Sequence, residues 1–206
     1  MQLEEKFISL WNRIGGIGDS NKEFEKILLS YSEPQRHYHT LNHIKKCLDE
    51  FDSAKDLMDN PDLVEFAIWY HDIIYNPKSK DNEEKSAELA YNICKYAKLS
   101  KEFGNSIKRL ILTTKHDKIP KKMDAKFLID IDLSSLGGST KEVCENEENI
   151  RREYFFSSQE IYREGRRKIL QKFLDRERIY STNFFRDKYE LKARKNIADS
   201  LDNLIN

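Results

Sequence analysis

Three of the chain's five histidines, His37, His39 and His43, lie within seven residues of one another. Neutral imidazole is the commonest protein ligand for transition metals, so such crowding suggests metal binding. His39 and His43 are four residues apart, which places both on one face if a helix already covers His39. A pair with this spacing also arises by chance, and the metal interpretation therefore needs further ligands elsewhere in the chain.

The doublet His71-Asp72 supplies two candidate ligands. Neighbouring helix positions are about 100° apart, so an adjacent His and Asp can both reach one ion lying over the helix. The acid also follows an apolar turn, residues 67–70, where an unpaired carboxylate would be costly to desolvate. A metal ion or a hydrogen-bonded partner would offset that cost. The alternative is a helix-terminal Asp that faces solvent.

Two further acids, Asp130 and Asp132, interrupt the apolar segment "FLIDIDL" at 127–133. Buried carboxylates need partners, whereas helix caps or surface acids would not need a metal. Taken with the histidines, one of these acids completes a set drawn from three distant stretches of chain. The candidate metal ligands are His43, His71, Asp72 and Asp132.

The composition describes a chain with enough apolar residues for one domain with a sizeable core. Thirty-six basic and 36 acidic residues give zero formal charge at pH 7. A chain without net positive charge has no general electrostatic attraction to nucleic acids or anionic membranes. Cys47, Cys94 and Cys144 are widely spaced, which favours a reducing compartment over a zinc–thiolate site. No secretory signal is evident, and no run approaches the ~20 apolar residues of a membrane span, so the expected location is the cytoplasm.

The elements that must position these residues are expected to be helices, so the predicted fold is all-α. Apolar residues recur at spacings of three and four residues, and Gly and Pro are few. Asn60 should cap a helix opening with Pro61, and Ser139 with Glu142 should form a capping box. In the last third, Phe155, Phe156 and Ile161 are among the residues expected on buried faces. The predicted helices run from Phe7 to Ile14, from Phe24 to the break at 32–34, from Thr40 to Leu57, from Asn60 to the doublet, from Asp81 to Ala97, from Ile107 to His116, and onward from Ser139, with a short apolar stretch at 127–136.

In this order the segments resemble the HD superfamily of metal-dependent phosphohydrolases, helical bundles whose motif is a His, a His-Asp doublet and a distant Asp. The matching segments are "HYHTLNHI" (37–44), "WYHDIIY" (69–75), "DNEEKSA" (81–87) and "LIDIDLSSLG" (128–137). The chain is still more similar to a subgroup of uncharacterised predicted HD hydrolases, through "IRREY" (150–154), "YREGRRKIL" (162–170) and "ELKARKN" (190–196). The resemblance spans roughly residues 31–196. It implies a single HD-type domain over 1–206, with a metal-binding core at about 31–140 and C-terminal helices at about 140–206 packing on it.

Residue by residue, the resemblance implies that His43, His71, Asp72 and Asp132 hold one divalent transition metal, which could be Mn, Co, Ni, Fe or Zn. His39 could replace His43, but His43 lies further inside the helix and is preferred. Asp132 is preferred to Asp130 because the family's final Asp generally precedes a Leu-containing turn. Members with two metals usually add two histidines between the doublet and the last Asp. This chain has only His116 there, which places a second metal in doubt.

The remaining roles concern proton transfer and phosphate binding. Glu83 is the candidate to orient or deprotonate the attacking water, with an ordinary acid at a helix start as the alternative. His116 could protonate the leaving oxygen, serve as a further ligand, or simply face solvent. The residues expected to contact the substrate phosphate or its surroundings are Arg36, His39 and Lys115.

The resemblance therefore implies a metal-dependent phosphohydrolase that acts on a small phosphorylated metabolite, with a nucleotide as the expected class, through a water activated by the metal. One alternative is a non-catalytic regulatory module that binds a metal or a nucleotide. Another is a di-iron oxygenase, against which the small number of histidines counts. No nucleic-acid or membrane partner is expected, and the charged, tyrosine-rich C-terminal third could serve a homodimer.

Overall fold

The computed structural model describes residues 2–205, and every regular element within that range is helical, which confirms the predicted all-α class. Three 3₁₀ turns, at Lys55–Leu57, Leu112–Lys115 and Leu133–Gly137, extend the ends of neighbouring helices. The α-helices are α1 (Leu3–Arg13), α2 (Ser20–Tyr31), α3 (Leu41–Ala54), α4 (Pro61–Tyr70), α5 (Asn82–Tyr96), α6 (Lys101–Ile111), α7 (Met123–Asp132), α8 (Thr140–Glu153), α9 (Gln159–Leu174) and α10 (Asn183–Ile205).

Two of the predicted helix starts are confirmed in detail. The Asn60 side chain accepts a hydrogen bond from the backbone N–H of Leu63, and Pro61 occupies the first turn of α4. Ser139 and Glu142 form the reciprocal capping box that opens α8. Such caps satisfy backbone donors that have no partner within the helix, at roughly 1 kcal/mol each.

The chain divides into two compact units, Met1–Ile129 and Asp130–Asn206, and α7 is the continuous helix that crosses the division. The prediction that 1–206 form a single domain stays a prediction. Within residues 2–205, no helix combines the length and apolar character needed to cross a membrane.

The first unit is built around α4. Its residues from Val64 to Tyr70 are all buried, as expected for a helix that is apolar on nearly every side. The ring of Trp69 meets those of Phe7 and Phe24 edge to face, with centroids 5.5 and 6.0 Å apart. The Tyr31 hydroxyl donates to the Trp69 carbonyl at 3.0 Å. These contacts fix α4 against α1 and α2, and the doublet His71-Asp72 follows directly from this anchored helix.

The second unit is held by polar contacts from α10 and the segment before it. The Tyr180 hydroxyl donates to the Leu133 carbonyl at 2.9 Å. The side-chain amide of Asn196 donates to the carbonyls of Leu136 and Gly138, at 2.8 and 3.0 Å. These bonds fix the residues that immediately follow α7.

The prediction that Phe155, Phe156 and Ile161 are buried is wrong, since they are 73%, 40% and 68% exposed. The apolar spacing in the sequence continues across a break between α8 and α9, where the structure has no helix. The two phenylalanines lie in that break. Ile161 lies in the first turn of α9, whose buried face carries Tyr162, Leu170 and Phe173 instead.

Candidate metal centre

His43 is fixed by the first turn of α3. The helix begins at Leu41, and the Thr40 side chain caps it by accepting from the Asn42 N–H. His43 is therefore held by helical geometry and is buried, whereas His39 lies before the cap. This placement agrees with the preference for His43 over His39 as a ligand.

His71 is fixed by the end of α4. Its backbone N–H donates to the Ala67 carbonyl at 2.9 Å, and its ring Nδ1 lies 2.9 Å from the Ile68 carbonyl. Because a carbonyl only accepts, Nδ1 carries the proton and Nε2 is left with its lone pair. A hydrogen bond of this kind orients and tunes metal-binding histidines in proteins.

The donor atoms of His43, His71 and Asp72 converge. The two Nε2 atoms are 3.4 Å apart, and the Asp72 Oδ2 lies 3.2 Å from His71 Nε2 and 3.8 Å from His43 Nε2. A point equidistant from these three atoms lies about 2.0 Å from each, which is the bond length of transition metals to nitrogen and oxygen ligands. The three side chains therefore fit a metal ion of that size.

Asp132 adds a second carboxylate to this group. One ligand atom each from His43, His71 and Asp132 lies within 4.8 Å of the others, so these residues form a cluster that could hold a metal ion. Both histidines are buried, and Asp132 is half-buried. Asp132 is the last residue of α7, a helix that begins at Met123 in the first unit.

Asp130, the alternative to Asp132, has a different role. Its carboxylate is fully buried and accepts from the backbone N–H groups of Ser181 and Thr182 and from the Thr182 hydroxyl, each at 2.7 Å. Burial raises the pKa of Asp130 to about 6, although these hydrogen bonds act in the opposite direction. The residue thus anchors the segment that leads into α10, and it does not belong to the metal cluster.

Glu83 lies in the first turn of α5, close to the doublet. Burial raises the pKa of its carboxyl above the usual value, and the nearby negative charge of Asp72 acts in the same direction, while Lys115 opposes it. The start of α5 is fixed by Asn82, whose side chain both accepts from the Asn76 N–H and donates to the Asn76 carbonyl. The carboxyl thus lies within electrostatic range of a proposed ligand, as its predicted role requires.

The two predicted residues at the end of the 3₁₀ turn after α6, Lys115 and His116, differ in their surroundings. Lys115 forms an ion pair with Glu84, next to Glu83. His116 follows in a left-handed backbone conformation, with φ of 55°, and it is not a member of the metal cluster. Their predicted roles in phosphate binding and in proton transfer stay predictions.

His39 lies beside the cluster without joining it. Its ring stacks on that of Tyr75 with centroids 4.1 Å apart, and it meets the ring of Tyr38 edge to face. The ring centroids of His39 and His43 are 6.2 Å apart. The predicted substrate contact of His39 stays a prediction.

Arg36 lies in a position that its predicted phosphate contact does not fit. Its side chain is 0% exposed, and its guanidinium donates to the carbonyls of His39, Asp72 and Ile73 and to the Glu33 carboxylate. A guanidinium enclosed in this way binds the protein's own backbone. The geometry therefore supports a structural role for Arg36 in place of a phosphate contact.

Ser86 also holds the turn after the doublet, and the sequence reasoning did not single it out. Its fully buried hydroxyl accepts from the Ile74 N–H at 3.1 Å and lies 3.3 Å from the Ile74 carbonyl. The only sequence signal was its place inside the "DNEEKSA" segment, one helical turn after Asn82.

Two buried imidazole nitrogens, the Nε2 atoms of His43 and His71, lie 3.4 Å apart. With two carboxylates beside them, the arrangement suits a cation bound by mixed nitrogen and oxygen ligands. Comparison with known proteins assigns no family, because no family model, curated protein or solved structure matches the chain.

Proposed function

We propose that this protein is a metal-dependent phosphohydrolase that acts on a small phosphorylated metabolite. The observation that carries the proposal is the convergence of His43 Nε2, His71 Nε2 and Asp72 Oδ2 with separations of 3.2 to 3.8 Å. The proposed ligand set is completed by Asp132.

The donor types favour a particular class of ion. Imidazole nitrogen suits Zn, Fe, Ni and Cu, whereas Mg and Ca prefer sites made of oxygen alone. Two imidazoles beside two carboxylates therefore favour a divalent transition metal such as Mn, Co, Ni, Fe or Zn. Such an ion, when bound, activates water as a nucleophile near neutral pH and neutralises charge on phosphoryl oxygens.

The chain's own residues supply the remaining groups. His71 is held by the Ile68 carbonyl with its lone pair directed to the cluster, so its ring needs little reorganisation on binding. Glu83 would accept a proton from the attacking water, because its raised pKa brings the carboxyl nearer to neutral pH, where a general base is most effective. Lys115, paired with Glu84, would bind a phosphate oxygen.

The choice of phosphate as the reacting group rests on the resemblance of the ordered segments to the HD superfamily. A nucleotide is the proposed substrate class on the same ground. The competing function is a metal-binding protein that hydrolyses nothing, and the experiment therefore separates metal binding from turnover.

The test is elemental analysis of the purified protein joined to a screen of phosphomonoesters, phosphodiesters and nucleoside triphosphates. We expect about one equivalent of a transition metal and hydrolysis of at least one class of substrate. Asp72→Ala should lose both. A matched control is Asp62→Ala on the same segment, since Asp62 lies in the first turn of α4 and pairs with Arg13; this variant should retain both.

Three results would contradict the proposal. Stoichiometric metal in Asp72→Ala would remove Asp72 from the ligand set. Metal-loaded wild-type protein that binds a nucleotide but hydrolyses nothing would indicate a regulatory module. Two irons per chain with an oxygen-dependent spectrum would indicate an oxygenase.

A further inference from the structure

Arg36 is a completely enclosed charged group near the metal cluster. Its side chain is 0% exposed, and the guanidinium lies between the rings of Tyr31 and Tyr75, at 5.1 and 5.4 Å from their centroids. Its one carboxylate partner is Glu33, which accepts from Nε at 2.9 Å. Enclosing a cation in this way is costly unless each donor finds an acceptor.

The acceptors are backbone carbonyls from two distant parts of the chain. Nη1 donates to the carbonyls of His39 at 3.2 Å and Asp72 at 2.7 Å, and Nη2 donates to Ile73 at 2.9 Å. His39 directly precedes the Thr40 cap of α3, and Asp72 and Ile73 directly follow the end of α4. One guanidinium thus joins the start of the helix that carries His43 to the turn that carries the doublet.

This connection controls the geometry that metal binding needs. The separation of the Nε2 atoms of His43 and His71 depends on how the start of α3 lies against the end of α4. The three carbonyls lie outside α3 and α4 and need partners other than helix hydrogen bonds; the Arg36 side chain supplies these partners and joins the two segments. Ser86 also holds the turn that follows the doublet, because its hydroxyl accepts from the Ile74 N–H.

We propose that Arg36 is a positioning residue that brings His43 and the doublet to metal-binding distance through these three carbonyls. The inference rests on the proposed metal centre and deepens it, because it assigns part of the metal affinity to a residue that touches no metal. Lys cannot replace Arg36, since a single ammonium lacks the planar set of donors that reaches carbonyls on both segments.

The test measures Co²⁺ affinity and the visible absorption of the Co²⁺ complex in wild-type protein, Arg36→Ala, Arg36→Lys and Ser86→Ala. The control is Arg194→Ala. Arg194 is also a carbonyl-binding arginine, but its partners are Leu174, Arg176 and Glu177, together with the Glu190 carboxylate. None of these belongs to a segment that carries a proposed ligand.

We expect both Arg36 variants to bind Co²⁺ about 10- to 100-fold more weakly, as for losses of outer-shell partners at other metal sites, with a changed absorption spectrum. Ser86→Ala should weaken binding in the same direction, which keeps the test decisive if Arg36→Ala does not fold. Methylguanidinium, but not methylammonium, should restore part of the affinity of Arg36→Ala. Arg194→Ala should lower the melting temperature and leave the affinity and the spectrum unchanged.

The inference is overturned if Arg36→Lys binds Co²⁺ with wild-type affinity and spectrum. It is also overturned if Arg194→Ala loses as much affinity as the Arg36 variants, because affinity would then follow stability. Wild-type protein that binds no Co²⁺ would overturn the metal centre itself and this inference with it. These results distinguish failure of the positioning role from failure of the proposed site.

Discussion

The two acids at the end of α7 offer the sharpest test of the ligand assignment, because they are two residues apart and have opposite expected roles. We expect Asp130→Asn to lower stability and retain metal. Asp132→Asn should lose metal. Each variant serves as the control for the other, since the substitution and the helix are the same.

The expected loss in the free energy of unfolding for Asp130→Asn follows from the three hydrogen bonds of 2.7 Å that its carboxylate accepts. Asparagine keeps one acceptor oxygen but turns an amide donor toward one of the backbone N–H groups of Ser181 and Thr182, so a buried donor loses its partner. That loss costs about 1–3 kcal/mol, and the bonds to a charged acceptor are worth more than neutral ones. Removing a buried charge recovers part of the cost, since burial raises the pKa of Asp130 to about 6.

The net expectation is a loss of about 1–3 kcal/mol in the free energy of unfolding, or about 2–12 °C in melting temperature for a chain of this size. For Asp132→Asn we expect metal affinity to fall at least about 100-fold, because loss of an outer-shell partner alone costs 10- to 100-fold. Thermal unfolding followed by circular dichroism and metal titration of the same preparations measure both quantities. Metal retained by Asp132→Asn and lost by Asp130→Asn would refute the assignment.

Three further predictions concern single substitutions. Glu83→Gln should keep the metal and lower kcat by roughly 10²-fold or more if Glu83 is the general base; an unchanged kcat would remove it from the mechanism. Gly137→Ala should destabilise the protein by about 1–3 kcal/mol in a denaturant titration, because its Cβ would lie 2.6 Å from the Cβ of Tyr189, and wild-type stability would contradict this packing. Burial raises the pKa of Glu65, so the stability it contributes is complete below its unfolded pKa and is lost as the pH rises through the folded pKa. The stability of Glu65→Gln relative to wild type should therefore improve between about pH 4 and pH 7, and a pH-independent difference would contradict that shift.

The helices could be predicted because their signals are local. Apolar residues at spacings of three and four and the caps at Asn60 and Ser139 act within one or two turns. The same reasoning failed at Phe155, Phe156 and Ile161, where the apolar pattern continues across the break between two helices. Periodicity indicates which residues share a face, but it does not show that the helix carrying the face is continuous.

The candidate ligands could be identified for a related reason. A carboxylate that follows an apolar turn, as Asp72 does, or that interrupts an apolar helix, as Asp130 and Asp132 do, needs a partner wherever the fold places it. Residues two positions apart on a helix point about 200° from each other, so these last two acids could not share one partner. Spacing alone did not determine which of them faced the histidines.

The role of Arg36 could not be found in this way, because two of its acceptors, the backbone carbonyls of Asp72 and Ile73, are 36 and 37 residues away. Every residue presents a carbonyl, so no side-chain type marks the position of these partners in the sequence. Next to three histidines, an arginine suggests a phosphate contact, and only the hydrogen bonds in the folded protein show that backbone carbonyls use its donors.

The residues that hold this site together are therefore different from those proposed to bind the metal. The two imidazole nitrogens 3.4 Å apart and the adjacent carboxylate are carried by α3 and by the turn after α4, and Arg36 joins these two segments. The buried residues of α4, Val64 to Tyr70, and the enclosed Arg36 hold these segments, so folding would supply the free energy that assembles the donors. A metal ion would then bind donors that are already arranged, and this preorganisation is the reason that residues without any metal contact are expected to change metal affinity.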